Sequence, residues 1–305
     1  MYRVEVDTAP AYELVISLYQ YIHNQSMKGA ERGRSWVKEV NQQLPEALVA
    51  KLAEEAWEVL HRLSLLIWQC PGERTPEQFI TWLGSLSALE MYERMTPWVT
   101  KITTDFQAVQ HHSLHLLEEW HRHYFKAQQA AVLPMLEHSA NCVRDALARG
   151  DDPRQVVETY TNGICIEPVA ATRQVLLIPQ HHAAPYSIID SYQGLITCLY
   201  PVDDNDAASP FLSKGIQRQL NVLADKNRIY ILKLLHERPT CTFTELLQET
   251  GLVKSNLHYH LSMLRTAGLI RAHRMSERIE FYSMRTEGLQ AMQEGLAAYL
   301  KGERT

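Results

Sequence analysis

LADKNRIYILKLLHERPTCTFTELLQETGLVKSNLHYHLSMLRTAGLIRAHRMSERIEFYSM, residues Leu223 to Met284, decides how the chain is read. Asp225 is placed to begin a helix whose apolar residues Ile229, Leu232 and Leu235 recur at three, and Pro239 ends it. Thr242-Phe243-Thr244-Glu245 is a capping box that starts a short helix, closed by Gly251. The spacing then predicts a third helix over roughly 254–266, with Gly268 just past its end. LIRAHR and RIEFYSM read as two short strands around Met275-Ser276-Glu277, and the chain is helical again from Thr286.

Together with an earlier helix carrying Ile216, Leu220 and Leu223, this is the order of a winged helix-turn-helix. In the third helix Leu257, Leu261 and Leu264 form the inward stripe. Lys254, Ser255, Asn256, His258, Tyr259, Ser262 and Arg265 are left to face outward. Asn, Ser and His side chains bond base edges and Lys and Arg neutralise phosphates, so this face suits a DNA major groove. Arg271, His273, Arg274 and Arg278 cluster on the hairpin, where a basic tip lies on the backbone or enters the minor groove. A solvated face on a small helical domain is the plainer reading of the helix alone, and the basic hairpin weighs against it.

Charge follows the same division. Residues 1–211 carry 16 Lys and Arg against 26 Asp and Glu, a net −10, whereas residues 212–305 carry 14 against 9, a net +5. The total of −5 hides a basic tail behind an acidic body, which points to a polyanionic partner for the tail.

Within Leu223–Met284 the sequence resembles the DNA-binding domain of the ArsR family of bacterial transcription regulators. The family pattern S-x-x-x-x-H-L-x-x-L-x-x-A-G-L-[IV] is met by Ser255, His260, Leu261, Leu264, Ala267, Gly268, Leu269 and Ile270. The resemblance implies a homodimer on a pseudo-palindromic operator, most often a repressor released by an inducer. His260 matches the family histidine, and its helical phase beside Leu257 and Leu261 leaves both packing and DNA contact open. Metal-sensing members carry Cys-x-Cys before the helix-turn-helix; here Thr242 and Thr244 stand beside a lone Cys241. The last helix lacks the Asp and His of the other family site, so soft-metal sensing through this domain is not expected. Val253 replaces the usual serine cap of the recognition helix.

The remainder reads as mainly α with a small β portion, an α+β chain. Residues 1–162 are read as a helical sensing or dimerising domain, and 163–202 as a small β segment packed with it. Residues 203–210 (DDNDAASP) are read as a linker and 211–305 as the winged helix with flanking dimerisation helices. Thr75-Pro76-Glu77-Gln78 starts a helix, the segment from Pro45 to Cys70 reads as one helix, and Pro134 is expected to kink or break the long one before it. The opening APAYELVISLYQYI and the LIPQ and LYP strands resemble N-terminal regions that precede some ArsR-like domains in Gram-positive bacteria, which implies no chemistry.

All six tryptophans (Trp36, Trp57, Trp68, Trp82, Trp98, Trp120) lie in this front part, open to two readings: a core of large rings, or a cavity for a small organic effector. His111 and His115 share a helix face at the spacing that chelates metal, while their surroundings read as an ordinary amphipathic helix. No other metal ligands and no cofactor are read from the sequence. G-x-S-x-G, P-loop and dinucleotide glycine patterns are absent, so no catalysis is expected. Five scattered cysteines, no membrane-length apolar run and no signal-peptide core point to the cytoplasm and away from membranes.

Leu289, Met292, Leu296 and Tyr299 repeat at three, four and three, the seam of two packed helices, open to a dimer interface or to folding back within one chain. The leading expectation is a homodimeric DNA-binding regulator responding to a small organic effector. The alternatives are an enzyme with an autoregulatory winged helix, or a winged helix that binds protein.

Overall fold

The computed structural model describes residues 2–24, 30–55, 60–99, 105–204, 211–275 and 277–302. The chain is mixed α+β and divides into two compact units. The front unit is Arg3–Arg144 with Ala171–Val202; the tail unit is Met1–Tyr2, Asp145–Ala170 and Asp203–Thr305. The path therefore crosses between units more than once, whereas the sequence suggested a single crossing at 203–210.

The front unit opens on β1 (Arg3–Val6) and α1 (Pro10–His23). Then follow α2 (Arg34–Asn41), α3 (Glu46–Ala53), α4 (Leu60–Gln69), α5 (Pro76–Ser85) and α6 (Ala88–Met95). α7 (Phe106–Trp120) passes through a π turn, His121–Phe125, into α8 (Lys126–Ala148). The expected capping box is present at α5, Thr75 accepting from the Gln78 N–H and Gln78 from the Thr75 N–H. Two expectations change. The Pro45–Cys70 segment contains two helices, α3 and α4, with Trp57 and Val59 outside the described residues. α8 runs on through Pro134, and the irregularity sits earlier, at the π turn.

After an excursion into the tail unit through α9 (Pro153–Tyr160) and β2 (Ile164–Ile166), the chain returns as β3 (Gln174–Gln180), β4 (Ile188–Ser191) and β5 (Leu195–Pro201). The front sheet has the order β1-β3-β5-β4, the first three parallel and β4 antiparallel to β5. β3 and β5 are buried on both faces, as their unbroken apolar texture requires of central parallel strands. The core joins them to α1, α4 and α7, with Trp120 fully buried and Trp36, Trp68, Trp82 and Trp98 partly so.

The tail unit continues with α10 (Lys214–Leu223), α11 (Lys226–Glu237), α12 (Phe243–Thr250) and α13 (Lys254–Thr266). β6 (Ile270–Met275), β7 (Arg278–Met284) and α14 (Thr286–Leu300) complete it. Here the expectation for 163–202 needs correcting. β2 does not join the front sheet but pairs in parallel with β6, matching Ile164 to Ala272, Cys165 to His273 and Ile166 to Arg274. The wing is thus a three-stranded sheet, β2-β6-β7, strapped by a strand from more than a hundred residues earlier. Gly163 makes the approach possible: its φ is +103° and a Cβ there would sit 2.4 Å from the Ile270 carbonyl oxygen. Of the expected linker, only Asp203 and Asp204 are described.

Candidate nucleic-acid interface

Asp225 caps α11 by accepting from the Asn227 and Arg228 N–H groups. Thr242 and Glu245 cap α12 reciprocally, and Gly251 ends it in the left-handed conformation at φ 64°. These local devices fix the turn that presents α13. As expected, Val253 gives α13 no side-chain cap, so its first N–H groups are left for another acceptor. Helix N-termini of this kind suit phosphate oxygens.

Leu257, Leu261 and Leu264 are buried along one side of α13. Lys254, Ser255, Asn256, His258 and Tyr259 are exposed on the first two turns, and Ser262 and Arg265 are half-buried further on. The seven expected side chains thus grade from open at the N-terminal end to partly covered at the C-terminal end. His258 stacks on Phe243 of α12 with centroids 4.2 Å apart, which fixes its ring. Tyr259 is 48% exposed, with its ring centroid 5.8 Å from that of His260. His260 turns inward, 7% exposed, with Nδ1 buried and unpartnered among the described residues. Its ring belongs to the packing of this domain.

The wing divides its cations. Arg278 is exposed beside the tip, Arg274 is half-buried, and Ser276 lies outside the described residues. Arg271 differs from expectation: it donates to the Met284 carbonyl at 2.9 Å and pairs with Glu287 at 2.8 Å and Glu158 at 3.3 Å. Those bonds hold the hairpin to α14 and α9, so Arg271 supports the wing instead of reaching outward. His273 does similar work, with Nδ1 2.7 Å from Glu167, Nε2 2.8 Å from the Ser283 hydroxyl and its ring stacked on Phe281. Sequence reasoning missed Glu158 and Glu167, because their partners lie over a hundred positions away.

The wing tip and the recognition helix should respond differently. Arg278→Ala is expected to weaken binding to all DNA sequences alike and to flatten the salt slope by about one unit. Asn256→Ala or Tyr259→Ala is expected to lose on the order of 1–3 kcal/mol on a cognate site and relax its sequence preference. Equilibrium titration at several salt concentrations separates the two, and an unchanged slope for Arg278→Ala would remove the wing tip from the interface.

Cys241 is buried, its backbone paired with Tyr282 in both directions at 2.9 and 2.7 Å, and burial pushes its thiol up. Cys165, on β2, is pushed up to about 12 by burial and then by the neighbouring Glu158 charge. Both thiols are therefore poor thiolate ligands at neutral pH. His111 and His115 are exposed on α7. Among the described residues no group of three or more His, Cys, Asp and Glu side chains is arranged to hold a metal ion.

On α14, Met292 is buried and Leu289 and Leu296 half-buried, while Tyr299 and Leu300 are exposed. A Cβ on Gly295 would lie 2.4 Å from Ile216 Cδ1, so α10 packs closely on α14 within the chain. Part of the seam is satisfied internally, and its C-terminal end is apolar and exposed.

Residues 225–272 match the sequence model of the family described as bacterial regulatory protein, arsR family. The C-terminal region accordingly contains an ArsR-family helix-turn-helix, the signature of a DNA-binding transcription regulator. No curated protein and no solved structure matches the chain. Among the described residues no helix is long and apolar enough to cross a membrane.

Proposed function

We propose that this chain is a cytoplasmic repressor that binds a pseudo-palindromic operator as a homodimer and is released when a small organic molecule occupies the front unit. The observation that carries the reading is α13. It offers an open polar face, Lys254 to Tyr259, opposite a buried leucine stripe, inside an ArsR-family helix-turn-helix. The exposed Tyr299 and Leu300 of α14 and Leu220 of α10 support an intermolecular seam that would set two recognition helices about one DNA turn, near 34 Å, apart. The effector is assigned to the front unit because the tail domain lacks the metal-sensing residues of the family.

Titrating the full chain on its own promoter fragment and on scrambled DNA of equal length tests the DNA part. Tighter binding to the promoter with a steep salt dependence is expected, and equal affinity for both fragments would defeat the reading. Sedimentation at micromolar concentration tests assembly. A chain that is monomeric both free and on DNA overturns the homodimer.

A further inference from the structure

Val6, Gln180 and Pro201 are the last residues of β1, β3 and β5, so the carboxyl ends of the parallel strands share one edge of the front sheet. Ligands of open parallel sheets bind outside this edge, and the helix-turn-helix makes no use of it. Here the edge holds buried charge. Glu13, in the first turn of α1, is fully buried and accepts from the backbone N–H groups of His181 and His182 at 3.1 and 2.8 Å. Its carboxylate also accepts from the His182 Nδ1–H, which leaves Nε2 to accept from the Tyr124 hydroxyl at 2.9 Å. The π turn carries Tyr124, and such turns are frequent at functional sites.

Two groups at this edge are incompletely used. Arg32 is half-buried and donates to the His181 carbonyl and to His181 Nε2, and among the described residues no carboxylate pairs with it. A guanidinium carries five N–H donors in a planar fork that matches a carboxylate or a phosphate, and the aromatic rings beside it favour an organic acid. Gln20 is fully buried and donates to the Arg32 carbonyl at 3.1 Å, yet its Oε1 is buried with no partner among the described residues. An orphaned buried acceptor is costly unless something donates to it. Beside them stand aromatic faces: Trp36 is half-buried, with ring centroids 5.9 Å from Tyr124 and 6.0 Å from Tyr21.

We propose that this edge binds a small aromatic carboxylate that also bears a hydrogen-bond donor. The carboxylate meets the Arg32 fork, the ring lies against the half-buried Trp36, and the donor satisfies Gln20 Oε1. The proposal rests on the effector part of the function proposed above and gives it a place and a chemical class.

All six tryptophans lie between residues 36 and 120, so intrinsic fluorescence of the full chain reports on the front unit alone. Titration with para-hydroxybenzoate is expected to change it saturably, with neutral para-hydroxybenzamide at least about tenfold weaker. Benzoate, lacking the donor, should fall between them. Arg32→Gln should lose the preference for acid over amide, and Arg32→Lys, which keeps charge but not the fork, should recover only part of it. The acid–amide comparison on the unaltered chain needs no variant to fold. No saturable change with any of these compounds, or equal affinity for acid and amide, overturns the site. Promoter affinity measured in the same samples keeps the two ideas apart. Binding of the acid with unchanged promoter affinity sustains the site and removes its role as effector site, whereas a chain that never binds DNA defeats the proposed function alone.

Discussion

Glu13→Ala is expected to cost the front unit about 3–5 kcal/mol, a large fraction of the roughly 5–15 kcal/mol of an ordinary protein's stability. The carboxylate is fully buried and is the acceptor for two backbone N–H groups and the His182 ring N–H. Removing it strands all three donors away from water and leaves His182 with nothing to fix its tautomer. Glu13→Gln keeps one acceptor and should recover only part of the loss. Melting followed by tryptophan fluorescence measures the difference. A Glu13→Ala protein that melts with the unaltered chain would mean that this network is not buried as described.

The same network gives the front unit an acid limit. Burial, opposed by the bond to Glu13, holds His182 down at about 4, below the ordinary histidine value near 6.5. Burial pushes the Glu13 carboxyl up, and the hydrogen bonds from the His182 ring and backbone outweigh it, leaving Glu13 below its ordinary value. Between the two histidine values the unfolded chain binds the proton that the folded chain refuses. Stability from His182 is therefore complete above about pH 6.5 and falls as pH drops toward 4, by roughly 3 kcal/mol in all. Glu13 adds its loss only further into acid, as pH falls below its ordinary range. Fluorescence-monitored melts from about pH 7 down to about pH 4.5 should fall steadily below pH 6, and a flat profile there contradicts a neutral, buried His182.

The parts of this fold legible in the sequence are those written in neighbouring residues. The Thr242–Glu245 box, the left-handed Gly251 and the leucine spacing of α13 each act within one turn of helix, and each stands where the spacing puts it. The exposed end of the recognition face, Lys254 to Tyr259, was readable for the same reason. What could not be read is non-local. β2 is only three residues long, and nothing in Ile164-Cys165-Ile166 names β6 as its partner. Arg271 has the look of a phosphate ligand until Glu158, a hundred residues earlier, is beside it. His181 and His182 are visible as a pair, but Glu13 lies on an apolar helix whose periodicity gives no sign that one carboxylate points into the core. Pro134 carries the sequence mark of a helix breaker, whereas the π turn before it has no proline or glycine to mark it.

That hidden pairing leads to an expectation opposite to the one a linker at 203–210 would suggest. A fragment covering 203–305 contains the whole helix-turn-helix match, yet it lacks α9 and β2. Without them the Ala272 N–H loses the Gly163 carbonyl and the Arg274 carbonyl loses the Glu167 N–H, bonds of 2.8 and 2.9 Å along the free edge of β6. Arg271 and Arg285 also lose Glu158, whose side chain is 13% exposed and sits 2.6 Å from Arg285 Nε. Stranding a mostly buried guanidinium costs about 3 kcal/mol, and in a unit of roughly a hundred residues that lowers the melting temperature by on the order of 10–20 °C. Glu158→Ala in the full chain removes the charge while keeping the strand, so it should show most of the ionic part and none of the edge exposure. Glu167→Ala should cost less, because that carboxylate is 29% exposed and, among the described residues, pairs with His273 alone. The order expected from calorimetry is therefore fragment least stable, then Glu158→Ala, then Glu167→Ala. DNA affinity should fall in the same order, since an unstrapped wing must be ordered on binding. If the fragment melts and binds like the tail unit of the full chain, the strap is an ornament on a self-sufficient winged helix.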